Sequence, residues 1–182
     1  MSALALLHDR ALILFIFAAG LFATALGPVL APNPDHARAV WSVWPVLILG
    51  GVAVARLIRY GPGPIRTGWL GWWMAGFAFY LIHLWFGFAV IYGADPTRVI
   101  AGQGLVTAVA NTALLLLWGV SILAALLPRE PPGEAAMHIL ASLIFVATAL
   151  PSALLFADHP VSMAIGVALA ALWVAALWHR LA

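Results

Sequence analysis

The chain contains no cysteine and no lysine. Without thiols there is no disulfide, no thiolate metal centre and no cysteine nucleophile. Charge of either sign is scarce as well: Asp, Glu, Lys and Arg together make up 8% of the 182 residues, against about 25% in a soluble domain. So few charges cannot cover a solvated surface. The eight arginines are scattered and the formal net charge is only +2, which excludes the clustered cationic face that nucleic acid requires. No internal repeat is evident either, so the inverted-repeat signature of many transporters is missing.

What the chain does have is apolar sequence. Hydrophobic residues make up 65% of it and the mean hydropathy is +1.09. Six apolar runs, near 11–31, 40–60, 68–93, 99–127, 134–157 and 160–181, each meet the ~20 residues a helix needs to cross a bilayer. The expected fold class is therefore an all-α integral membrane protein, a compact bundle of six transmembrane helices over 1–182 with no soluble domain. The first run is longer than the ~7–15 residues of a secretory signal core, and Pro32 follows its best small-residue site, so it is read as a retained span. Segments 32–39, 61–67, 94–98 and 128–133 read as loops or turns by their prolines and glycines. Pro151 is expected to kink the fifth span, with Thr148 or Ser152 satisfying part of the freed backbone. Gly20 and Gly27 mark a place on the first span where another helix can approach closely. Ala164, Ala168, Ala171 and Ala175 form a second small-residue stripe on the last span.

Orientation follows from arginine placement in short loops. With the N-terminus inside, Arg10, Arg56, Arg59, Arg66, Arg129 and Arg180 are cytoplasmic and only Arg38 and Arg98 lie outside. Arginine without lysine, together with abundant alanine, is the bias of a GC-rich bacterial genome. The reading is a multi-pass protein of the inner (plasma) membrane with both termini cytoplasmic. The cytoplasmic arginines are expected to meet anionic membrane lipids, each contact contributing about 1 kcal/mol.

The third run carries most of the chemistry. Trp69, Trp72 and Trp73 crowd one end and Tyr92 the other, where amphipathic rings favour the interfaces. His83 lies well inside it, and an ionisable group at such depth is a functional-site candidate by default. With Tyr80 one turn before and Gly87 one turn after, His83 is a candidate ligand for haem b or a contact for quinone: an imidazole can ligate iron, and a missing side chain admits a flat ring. His138 cannot pair with it on one iron, because at 1.5 Å per residue the two differ in depth by roughly 16 Å. Alternatively, His83 hydrogen-bonds across to the fourth span, where Thr107 and Asn111 lie at comparable depth, and with Gln103 these residues outline a polar path for a small transporter or channel. Asp35, His36, Asp95, Asp158 and His159 fall on one loop face. They are the candidates for a metal site but match no metal motif, so solvated loop ends are the simpler reading. No Ser/His/Asp or paired-carboxylate geometry is expected within the spans, which argues against a hydrolase. The nine tryptophans and the absence of a soluble domain favour an integral subunit or accessory of a larger assembly, partnered by other membrane-protein subunits or by copies of itself.

Overall fold

The computed structural model describes residues 3–62, 68–127, 133–154 and 159–182, with side chains from Leu7 onward. Among them the chain is helical and has no strand. Its elements are α1 (Ala3–Leu26) with a 3₁₀ turn at Gly27–Leu30, α2 (Pro34–Tyr60), α3 (Trp69–Leu84) continuing as a π-helical segment (Trp85–Ile91), α4 (Pro96–Gln103), α5 (Leu105–Leu126), α6 (Glu134–Leu154) and α7 (Pro160–Leu181). Six of these, all but the short α4, are long and apolar enough to cross a membrane. Their outward faces carry Leu14, Phe15, Phe22, Leu123 and Val174 exposed, a surface suited to lipid and not to water.

Several boundaries differ from expectation, each for a local reason. Residues 34–39 are the first turns of α2 and not loop. Asn33 caps that helix, its side chain accepting from the His36 N–H at 3.1 Å, while Pro34 and Asp35 occupy the first turn. Asn at the cap, Pro at the first position and an acid beside it are helix-start signals. Asp95 does the same for α4, accepting from the Thr97 N–H at 2.8 Å and its hydroxyl at 2.7 Å. The run 99–127 is broken at Gly104, whose φ of 83° and ψ of 154° end α4 and start α5. That combination is open to glycine and costly for other residues. Gln103 therefore ends α4 instead of interrupting the fourth span. The helix α6 runs on through Pro151 to Leu154. The Thr148 hydroxyl donates to the Ile144 and Phe145 carbonyls, not to the Ala147 carbonyl that proline deprives of its donor.

The bundle is built around α2, which packs on α1, α3, α6 and α7. Glycines set its closest approaches. A Cβ on Gly76 would stand 2.9 Å from the Gly50 nitrogen and 3.0 Å from Trp118 Cζ2, so α3 and α2 nearly touch backbone to backbone. Gly20 and Gly27 behave as the sequence suggests, receiving Pro45 and Trp41 of α2. On α7 the buried stripe is Ser162, Gly166, Leu169, Trp173 and Ala176; Ala164, Ala168, Ala171 and Ala175 face outward, away from this chain.

Asp9, near the start of α1, and Arg180, near the end of α7, both lie beside the C-terminal end of α2. Asp9 of α1 takes both guanidinium nitrogens of Arg56 at 2.7 Å, and Arg180 of α7 donates to the Ile58 carbonyl at 3.0 Å. This terminal face is opposite the face that carries α4. Arg56 is thus committed to Asp9 and stacked 5.6 Å above Trp72, and is not a free cation for lipid headgroups. Arg66 and Arg129 lie outside the described residues.

Candidate functional site

In its second half α3 loosens. The π-helical segment Trp85–Ile91 keeps its packing on α2 while the gap toward α5 opens. Extra-wide turns of this kind recur at functional sites. Two adjoining cavities result. One, of about 590 Å³, lies inside the bundle near the α4 face and is walled by Tyr80, His83, Thr107, Asn111, Thr148 and Ser152, with His36 and His159 also in its lining. The other, of about 650 Å³, is a groove between the π-helical segment and α5, lined by Leu84, Phe88, Val99, Ile100, Val109 and Leu116. Both volumes suit a small ligand. His83, Gly87, Tyr92, Gln103 and Asn111 line both, and so stand at the junction.

His83 faces inward, as its cost in hydrocarbon demands. Its partner, however, is on α2 and not α5: Nδ1 lies 2.9 Å from the Ala39 carbonyl oxygen and 3.3 Å from Ser42 Oγ. Thr107 and Asn111 share the cavity with His83 without bonding to it. A carbonyl can only accept, so Nδ1 carries the proton. Ser42 Oγ also donates to Ala39 O at 2.9 Å, which leaves its lone pair for the same N–H. In the neutral ring Nε2 then holds an unshared electron pair. It has no hydrogen-bond partner among the described residues, while the ring lines both cavities. An imidazole anchored through Nδ1–H to a backbone carbonyl, with Nε2 free, is the arrangement that orients a histidine toward a metal or a donor.

Around it, the Tyr80 ring lies nearly parallel to the imidazole, centroids 6.3 Å apart, and the Tyr80 hydroxyl donates to the Asn111 carbonyl at 2.9 Å. The Asn111 amide reaches Gln103 Oε1 at 3.5 Å, tying α5 to the end of α4. A Cβ added at Gly87 would meet nothing within 4 Å, so the space beside this glycine is open. Below the cavity the path stops at an aromatic floor. Tyr80 stacks on Trp118 at 5.6 Å, Trp118 on Trp73 at 4.2 Å, and Phe145 stands edge-on to Trp118 at 5.0 Å. All four rings are buried.

The candidate metal ligands do not converge. Asp35 pairs with Arg38 at 2.9 Å, and Asp95 with Arg98 at 3.5 Å while capping α4. His159 caps α7 through Nδ1 and packs on Trp44. Asp158 lies outside the described residues, and among those described no three His or acidic side chains come together.

One constellation was not expected at all. Near the terminal face, Trp73 Nε1 donates to Ser121 Oγ at 3.2 Å, Ser121 to His138 Nδ1 at 2.8 Å, and His138 Nε2 to Glu134 Oε1 at 3.1 Å. A Ser–His–Glu chain can therefore be built within the bundle, contrary to the sequence reading. It differs from a hydrolytic triad in access. Ser121 and His138 have no exposed surface, the serine oxygen already accepts from an indole, and neither residue lines a described cavity. The signal was present: Glu134 and His138 are one helical turn apart, and Ser121 lies at matching depth on the preceding helix.

Fold and site together define the class: a helical bundle with six helices long and apolar enough to cross a membrane, and an amphipathic cavity that opens between the π-helical segment and α5. Beyond the class the comparisons add nothing, since no family model, curated protein or solved structure matches the chain.

Proposed function

We propose that the chain is an integral subunit or accessory of a larger assembly in the bacterial inner membrane, with both termini cytoplasmic, and that its α4-face cavity holds a quinone-type ligand against His83. The observation that carries this reading is the open Nε2 of an imidazole whose other nitrogen is fixed on the Ala39 carbonyl. Polar groups at one end of the cavity and an apolar groove at the other match a ligand with a polar head and a greasy tail. Haem b fits less well. Its two propionates call for cations, and no arginine is among the described lining residues. The outward-facing alanines of α7 offer a close-packing face for a partner subunit or a second copy.

A visible spectrum of the purified protein and extraction of its bound lipids test the reading together. Co-extracted quinone without a Soret band is the expected result. A Soret band that disappears in His83→Phe replaces quinone with haem; neither species leaves the proposal without a ligand. The other reading, a small transporter or channel along His83, Gln103, Thr107 and Asn111, has the polar cavity wall in its favour and the aromatic floor against it. Ion or solute flux in proteoliposomes, lost in Asn111→Leu, would favour it.

A further inference from the structure

The junction of the two cavities carries a more specific assignment, which rests on the reading above. We infer that the site selects the reduced, hydroxyl-bearing form of its ligand, a prenylated hydroquinone, and admits it sideways from lipid through the gap between the π-helical segment and α5.

Selection follows from the proton on Nδ1. Because the Ala39 carbonyl at 2.9 Å holds that proton, neutral His83 offers the cavity a lone pair and no N–H. A hydroquinone O–H donates to it. A quinone carbonyl in the same place sets one lone pair against another and loses the bond. The amide groups of Gln103 and Asn111, which line both cavities along with His83, both donate and accept, so the second ligand oxygen is served in either redox form. Discrimination therefore falls on His83. A planar ring is favoured over an aliphatic alcohol because Tyr80 and Phe145 present aromatic surface to the polar cavity,. A phospholipid headgroup finds no arginine among the described lining residues of either cavity.

The route follows from shape. Tail-lining side chains on the groove side are Leu84, Phe88, Val109 and Leu116, continuous with the lipid-facing flank of the bundle. Gly87 stands at the junction with open space where a side chain would be. The Cβ of a leucine there meets nothing within 4 Å, and its longer branches would narrow the gap.

The test uses the whole chain in lipid nanodiscs under argon. Binding of four probes is measured: a prenylated hydroquinone, its quinone, and the tail-less version of each. We expect the prenylated hydroquinone to bind about ten-fold tighter than its quinone, the scale of one hydrogen bond. His83→Phe should erase that ratio. Gly87→Leu, at the junction of both cavities, should weaken the prenylated probe at least about ten-fold more than the tail-less hydroquinone. Equal binding of hydroquinone and quinone to the native chain overturns the selection; equal loss of tailed and tail-less probes in Gly87→Leu overturns the route. Either result leaves quinone binding standing. No binding of any probe overturns the parent reading itself. Should His83→Phe fail to insert, the native-chain ratio and Gly87→Leu still decide.

Discussion

Two histidines of this chain are held in opposite ways, and substitutions should separate them. His138 sits in a closed relay in which Trp73, Ser121 and Glu134 use every polar atom of the ring and of the serine. Ser121→Ala removes the middle member and strands an indole N–H and an imidazole nitrogen without water. An unmet buried polar group costs about 1–3 kcal/mol, so unfolding in detergent, followed by far-ultraviolet dichroism, should show a loss of that size. His83→Phe should cost less than about 1 kcal/mol. The Ala39 carbonyl keeps the Ser42 hydroxyl at 2.9 Å, and the other ring nitrogen has no described partner to lose. Equal destabilisation by the two changes would mean that His83 is a structural residue.

Among the elements, two glycines of the third span are predicted to respond with opposite sign. Gly76→Ala drives a methyl group against the Gly50 backbone and should destabilise by about 1–3 kcal/mol, the usual range for overpacking. Gly87→Ala meets open space and should stabilise by roughly 0.5–1 kcal/mol through the helix preference alone. Parallel melts of the two variants check both signs. The cap of α4 has its own pH signature. Hydrogen bonds from the Thr97 side chain and backbone hold the Asp95 carboxyl below the usual carboxylate range. A lowered folded-state pKa makes ionised Asp95 favour the cap at neutral pH, and that contribution fades only as pH falls through the lowered value. Amide exchange at Thr97 should therefore stay slow on acidification past the ordinary aspartate titration, and Asp95→Ala should abolish the protection. These elements also mark how far the sequence could be read. Length and hydropathy made six apolar runs legible, because crossing a bilayer calls for both in one unbroken stretch. The caps at Asn33 and Asp95 were present in the letters but looked like loop, since a helix's first turn and a loop share the same polar residues. The break at Gly104 did carry a signal, a glycine just past a polar glutamine, but it lay inside one long apolar run; the π-helical turn lies in apolar surroundings that give no local signal. Depth along a helix could be counted, which placed His83, Thr107 and Asn111 around one cavity. Rotation about the helix axis could not, because it is set by close contacts such as Gly50 on Gly76, and so the partner of His83 fell on α2.

For the whole molecule, the side of the membrane is the first thing to check. The chain has no cysteine, so a single introduced thiol reports without background. Ala101→Cys, exposed on α4, should react with an impermeant maleimide added to intact spheroplasts. Ala182→Cys should react only after lysis. The reverse pattern would invert the arginine-based orientation and put the α4 face, with its nearby cavity, on the cytoplasmic side. The central position of α2 has a consequence for how the protein is made. In its most apolar stretch 61% of the residues are buried by protein, against no more than 33% in any other span. During synthesis α2 leaves the ribosome before α3, α6 and α7 exist to cover it. It then meets lipid with Ser42 and Arg56 uncovered except for what α1 provides through Asp9. The first two helices are therefore expected to leave the translocation channel as a hairpin clasped by that ion pair, and to linger beside the channel until α3 arrives.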